Sequence, residues 1–282
     1  MNILTFDIED WFHILDNDST KTAKEWVKYE SRLQQNIEFI FSLLDECNVK
    51  ATFFCLGWIA RQYPHILKEI DKRGYEIGSH TNNHQLVHEQ TQDEFRNDLR
   101  ESVRIIEDSI GKKVKYFRAP GFSITECEKW AFALMAEEGI EADFSVFPAP
   151  HGHGGFPSFK VAQPSIIEYQ GMSIKEFPIN TIKFLGKPLI FSGGGYFRLL
   201  PYPVIKYFAS NADYMVAYFH PRDFDPGQPV IKDLNLLRKF KSYVGLSTSQ
   251  SKARKFLSDF AFIDVNEAIA TIDWSKARKV IL

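Results

Sequence analysis

Cysteine is scarce in this chain: three residues, Cys47, Cys55 and Cys127, among 282. Their spacing suits neither a disulfide framework nor a thiolate metal site, so they read as buried free thiols in a reducing compartment. No apolar run approaches the roughly 18 residues that a spanning helix needs. A charged start, apolar stretch and small-residue cleavage site are missing from the N-terminus, where the first strand begins at residue 2 or 3. No secretory leader is therefore expected, and a cytoplasmic protein is. Charge of one sign is lacking too. The 34 basic and 36 acidic residues leave a formal −2, which gives no electrostatic case for nucleic acid or an anionic membrane as partner. Internal repeats and low-complexity segments are also absent.

What is there in quantity is aromatic: 25 Phe and 11 Tyr, with aromatics at 15%. Most belong in a Phe-heavy core, with an aromatic-lined sugar groove as the lesser alternative. At 44% hydrophobic and 25% charged, the composition is that of a globular protein with a sizeable core. Strand-like and helical patterns alternate. "SRLQQNIEFIFSLLDECNV" carries Leu33, Ile37, Ile40, Phe41 and Leu44 at helical spacing, with Ser31 placed to cap it. "KATFFCLG", "YEIGSH", "VKYFRAP", "EADFSVF" and "YMVAYFH" read as buried strands. "WIARQYPHILKEIDKRG" reads as a helix stopped by Gly74. Thr91 and Glu94 form a capping box, followed by the stripe Phe95, Leu99, Val103, Ile106, Ile110. Thr125 and Glu128 open "TECEKWAFALMAEEG" in the same way. "SIIEYQGMSIKEF" predicts a hairpin around Gln170-Gly171. Two polar helices are expected within residues 233–260, then a strand and helix in "FIDVNEAIATI". The alternation predicts an α/β fold: a distorted (β/α) barrel of mostly parallel strands, one domain over 1–282 with decorated loops. The motifs lie within about 3–226, and the C-terminal helices and last strand within 227–282.

In such folds the chemistry sits at the C-terminal strand ends. "MNILTFDIEDWFH" runs a buried strand into three carboxylates, Asp7, Glu9 and Asp10. Like charges so crowded call for a positive partner. "GSHTNNH" after the third strand offers His80 and His84, which a helical turn would set on one face within reach of one ion. Two imidazoles and a carboxylate make a three-ligand, catalytic type of metal site. The positive partner is thus a divalent metal, with Arg118 as second candidate. Zn²⁺ is the default ion, and Fe²⁺, Co²⁺ and Ni²⁺ also suit the donors. His13 and His88 read as solvated loop positions. His151 and His153, in "HGHGG", read as substrate contacts or part of a lid. "SGGGYFR" lacks the Lys-Ser/Thr of a phosphate loop, and its glycines would let backbone approach a sugar.

"TFDIED", "SHTNNH", "RAPGFS", "ADFS" and "YFHP", in this order, resemble the polysaccharide deacetylases, the carbohydrate esterase family of chitin, peptidoglycan and nodulation-factor deacetylases. "DIEDWFH", "SVFP", "GGGYFRLLPY" and "YFHPRDFDP" resemble its cytoplasmic exopolysaccharide-cluster branch. The resemblance implies metal-dependent hydrolysis of an N-acetyl group on a sugar or oligosaccharide, in surface polysaccharide assembly. It implies Asp7 as general base, His80 and His84 as metal ligands, and Arg118 as the residue that orients the base. It also implies the Phe122 backbone N–H as an oxyanion donor, His220 as the acid that protonates the leaving amine, and Asp143 in the segment that tunes His220. The family pattern has two adjacent Asp, whereas Asp7 is followed by Ile8. The carboxylate ligand is then Glu9 or Asp10, and Asp10 is preferred on residue type and the parity of an extended chain. A metal-free ureide hydrolase and a non-catalytic glycan-binding module are the rival readings.

Overall fold

The computed structural model of the chain describes residues 1–15, 17–150, 152–184 and 186–282. Its strands are β1 (Asn2–Ile8), β2 (Thr52–Cys55), β3 (Glu76–Ser79), β4 (Tyr116–Phe117), β5 (Ala142–Asp143), β6 (Ser165–Tyr169), β7 (Met172–Glu176), β8 (Ile182–Phe184), β9 (Lys187–Leu189), β10 (Met215–Phe219) and β11 (Arg278–Ile281). With helices between most of them, the fold is α/β with mostly parallel strands, the class that the alternation predicts. The chain divides into two compact units, Met1–Ala51 with Ile182–Asp264, and Thr52–Thr181 with Val265–Leu282.

In the first unit β1 and β10 pair in parallel, in register from Asn2↔Met215 to Phe6↔Phe219. Every β1 residue from Ile3 onward is buried, and for that reason "ILTF" reads as a continuous apolar run rather than an alternating one. The helix Leu33–Cys47 buries Leu33, Ile37, Ile40, Phe41 and Leu44 and ends on Asn48 at φ 50°. The N-cap is Arg32 and not Ser31 as expected, though Ser31, one residue earlier, accepts at its Oγ from Leu33 N at 3.2 Å. In "SGGGYFR" the first glycine is required by packing. A Cβ on Gly193 would lie 2.2 Å from the Tyr218 carbonyl oxygen, where Tyr218 N donates to Ser192 O at 3.2 Å.

In the second unit β2, β3, β4, β5 and β7 run parallel in that order. β6 returns antiparallel to β7 and takes β11 on its other side. The predicted hairpin turns on Gln170 and Gly171, both at positive φ (50° and 80°), as a two-residue turn requires. The Thr91–Glu94 capping box opens the helix Gln92–Ile110. Two helical readings change. "WIARQYPHILKEIDKRG" is two helices, Gly57–Gln62 and Pro64–Lys72, because Pro64 lacks the N–H to continue the first. Thr125 and Glu128 bond each other ahead of the helix, which starts only at Trp130. Phe53, Phe54, Phe117 and Phe144 are fully buried, and Phe144 stacks on Phe177 at 4.7 Å, so these aromatics are core. Of the cysteines only Cys55 is buried. Cys127 is exposed because it precedes that helix instead of lying inside it.

The register of the second unit sets Ser79, Phe117, Asp143 and Glu176 in one row across β3, β4, β5 and β7. Asp143 and Glu176 are both fully buried. Asp143 accepts from Ser145 Oγ at 2.5 Å and Ser145 N at 3.2 Å, and Glu176 Oε1 accepts from Val146 N at 3.2 Å. Glu176 Oε2 finds no donor among the described residues, while Asp143 and Glu176 hydrogen-bond side chain to side chain, which two carboxyls do only when one of them carries a proton. Burial and then the Asp143 charge push Glu176 well above the usual carboxyl range, and burial raises Asp143 too. A raised carboxyl holds in the folded state a proton that the unfolded chain releases above about pH 4–5. Stability therefore falls as pH rises from there toward the raised value. Glu176→Gln supplies an N–H in place of the shared proton. It should melt above the wild type at pH 8, by about 2–4 °C for each kcal/mol gained, with the two curves converging near pH 4. Parallel curves of Tm against pH would show that no proton is shared.

Candidate metal centre

The end of β1 settles which carboxylate faces where. The strand stops at Ile8, and Glu9 N donates back to Asp7 O at 3.0 Å. The extended parity that favours Asp10 as ligand is therefore broken by a turn. Asp10 Oδ1 instead accepts from Trp11 N at 2.8 Å and Arg32 N at 3.2 Å, and Asp10 Oδ2 accepts from the Ser31 hydroxyl. Burial raises its pKa, while those hydrogen bonds pull it down. Asp10 thus ties the turn to the start of the helix Leu33–Cys47. Beside it His13 is buried and not solvated, its Nδ1 accepting from Asp10 N at 2.9 Å and its ring 4.3 Å from Trp26.

Glu9, His80 and His84, all buried, each offer one ligand atom, and the three atoms lie within 4.8 Å of one another. Two imidazoles and a carboxylate suit a divalent ion with positions left open for water or substrate. The structure brings Glu9 to the two histidines where the sequence favoured Asp10. The expected helical turn is also replaced. Thr81 and His84 both adopt positive φ (69° and 54°), so 80–84 is a loop held by side chains. Asp98, on the helix Gln92–Ile110, accepts from Asn82 N at 2.7 Å, Asn83 N at 3.1 Å and Asn83 Nδ2 at 2.9 Å. His84 N donates to Thr81 Oγ1 at 3.1 Å, and Ser102 Oγ donates to Thr81 O at 3.0 Å. His80 Nδ1 lies 2.7 Å from the Arg118 carbonyl. A carbonyl only accepts, so Nδ1 carries the proton and Nε2 is left as the ligand atom.

His220 follows β10 as Asp7 follows Phe6, and the Phe6↔Phe219 pairing brings both to one end. Its Nε2 is 3.8 Å from Asp7 Oδ2 and 3.8 Å from Glu9 Oε1. Its Nδ1 is 3.0 Å from Asp223 Oδ2, which also accepts from His220 N at 2.9 Å. Burial alone would lower the pKa of His220, but the charges of Glu9, Asp223 and Asp7 outweigh it and raise it to about 9. Burial works against the charge on Asp223 as well. Even so, the His220 hydrogen bond and the Arg198 charge hold it far below the usual carboxylate range. The residue bonded to His220 is thus Asp223, three positions on, while Asp143 is held by Ser145 at the end of β5.

Arg118 is 1% exposed, its guanidinium 4.5 Å from the Phe54 ring centre and near Phe144 and Phe122. The Phe122 N–H, expected to serve an oxyanion, donates to Ala119 O at 3.3 Å within its own turn. Gly154 packs on that turn, where a Cβ would lie 2.5 Å from Phe122 O. The second glycine of "HGHGG" is thus fixed by packing, and His153 is half-buried. His151 lies outside the described residues. His88 is exposed, as the sequence suggests.

Fold and donor set define an α/β protein with a candidate metal-binding cluster, and known proteins resemble it in part. Residues 4–133 match the polysaccharide deacetylase family, and residues 144–270 match a domain of unknown function (DUF3473). Over residues 4–133 the chain is thus similar to the polysaccharide deacetylases, the family its motifs resemble. A peptidoglycan-N-acetylglucosamine deacetylase of Bacillus cereus is 38% identical over 100 residues, 34% of this chain and 36% of that protein. The chain thus spans about a third of that relative's length. A solved structure from Mycobacterium smegmatis, assigned to the polysaccharide deacetylases, superposes with a TM-score of 0.66 at 18% identity, covering 100% of this chain and 92% of that one. A carbohydrate esterase family 4 pseudoenzyme from Bacillus anthracis gives a TM-score of 0.51 at 14% identity, over 99% and 66% of the two chains.

Proposed function

We propose that the protein is a metal-dependent N-deacetylase that removes acetyl groups from amino sugars of a glycan or glycan precursor, in the assembly of a surface polysaccharide. The fold alone does not decide this, since a pseudoenzyme shares it. The observation that carries the reading is the buried Glu9–His80–His84 donor set together with His220, whose Nε2 stands 3.8 Å from Asp7 and Glu9. The two histidines and Glu9 would hold the ion, which polarises the acyl oxygen and makes water a stronger nucleophile.

The remaining work falls to the chain's own groups. Hydrolysis of an amide takes one proton from the attacking water and delivers another to the leaving amine. Asp7, a carboxylate at a strand end, is suited to take the first. His220 is suited to give the second: the surrounding carboxylates keep it protonated at neutral pH, and Asp223 fixes its Nδ1. With Zn²⁺, Fe²⁺, Co²⁺ or Ni²⁺ added in turn, the protein should release acetate from oligomers of N-acetylglucosamine or related N-acetyl sugars. It should bind one equivalent of metal. Metal binding without acetate release from any N-acetyl sugar would overturn the reading.

A further inference from the structure

Arg198 belongs to the short helix Gly194–Leu199 in "GGGYFR", a stretch without a part in the chemistry so far. Its Nε is 2.9 Å from Asp223 Oδ1, and the two side chains are only 6% and 4% exposed. The other Asp223 oxygen is the one at His220 Nδ1. The far side of the guanidinium is equally fixed. Nη1 donates to Ser242 O and Val244 O, both at 2.9 Å, and Nη2 donates to Lys241 O at 3.1 Å. Gly245, next in the chain, is at φ 73°, and a Cβ there would lie 2.1 Å from the Arg198 carbonyl oxygen. Backbone and side chain of Arg198 are therefore both held in place.

Taking an arginine and an aspartate out of water is expensive, and an apolar pair would often serve stability as well. What an apolar pair cannot do is aim a carboxylate. The contact at Oδ1 is one of charge, the Nε–H not being aligned for a hydrogen bond. Yet a fixed guanidinium beside Oδ1 opposes rotation of Asp223, so Oδ2 stays on Nδ1 and the imidazole keeps its Nε2 toward Asp7 and Glu9. We propose that Arg198 is a positioning residue for His220, acting through Asp223. On this view the stretch matched by a domain of unknown function supplies the proton-donating arm of the deacetylase site. The inference deepens the deacetylase reading and rests on it.

Two measurements test it. In metal-free protein with ¹⁵N-labelled histidine, the His220 Nδ1–H should give a sharp, downfield proton signal in the wild type. Arg198→Met and Arg198→Gln should broaden or lose it, and Arg198→Lys should keep it. In the metal-loaded enzyme, Met and Gln at this position should lower kcat roughly 10–100-fold, as loss of an orienting partner does. KM and metal content should stay within twofold of the wild type, and Arg198→Lys should recover most of kcat. Should Arg198→Met fail to fold, Arg198→Gln, which is polar enough to bury there but has no charge to hold Asp223, carries the test. A folded variant of either kind with the wild-type signal and kcat would overturn the proposal. If the wild type releases no acetate, the deacetylase reading fails while the proton signal still decides whether Arg198 positions His220.

Discussion

Glu9→Gln should leave the protein unable to retain its metal through desalting and should cut acetate release by at least about 10²–10³-fold. Metal-assisted hydrolysis draws several kcal/mol of transition-state stabilisation from the ion, and each 1.36 kcal/mol is tenfold in rate. Asp10→Asn should do the reverse. Asp10 accepts from Trp11 N, Arg32 N and Ser31, and no ligand atom of it stands with the histidines. An amide keeps one oxygen but turns an N–H toward one of those donors, a loss of about 1–3 kcal/mol in stability. Its metal stoichiometry should stay at that of the wild type. Metal analysis after gel filtration, with a melting curve on each variant, reads both effects. Metal loss in Asp10→Asn with retention in Glu9→Gln would return the ligand role to Asp10.

That contrast marks where the sequence stops being legible. Strands such as β1 and β10 are buried on both faces, so their apolar runs are written plainly. The Gln170-Gly171 hairpin and the Thr91 capping box carry local chemistry that admits one reading. His80 and His84 could be paired by spacing, yet their loop depends on two non-glycine residues at positive φ, which no sequence pattern announces. The choice between Glu9 and Asp10 turned on a reverse turn at the strand end, one hydrogen bond from Glu9 N to Asp7 O. Asp98 had a usable signal: it interrupts the apolar stripe of its helix three residues after Phe95, where a buried carboxylate has to find donors. Asp223 had one as well, three residues beyond His220 in "HPRD". Arg198 had none, since its partner is 25 residues away in sequence and comes to it only through the fold.

His220→Ala should be the most informative change. The amine of an amide is a poor leaving group until it is protonated, so removing the donor should lower kcat roughly 10²- to 10⁴-fold, the usual worth of a general acid. Substrate affinity should change little, because the loss falls on the transition state and not on ground-state binding. Metal should remain, since Glu9, His80 and His84 are untouched. The pH profile separates this role from a structural one. His220 is held protonated by Glu9, Asp223 and Asp7 against the opposing effect of burial, with its pKa raised to about 9. A bound cation offsets part of the Glu9 charge, so the enzyme's basic limb should fall below that value. Activity needs the protonated form and must decline as pH rises through the limb; in His220→Ala that decline should be absent. Asp223→Asn should show the intermediate case. Its amide can leave a nitrogen facing Nδ1–H and cannot hold the imidazolium, so the basic limb should move to lower pH while metal stays bound. Near-normal turnover in His220→Ala with its alkaline decline intact would make His220 a structural residue at the end of β10 and require a different proton donor.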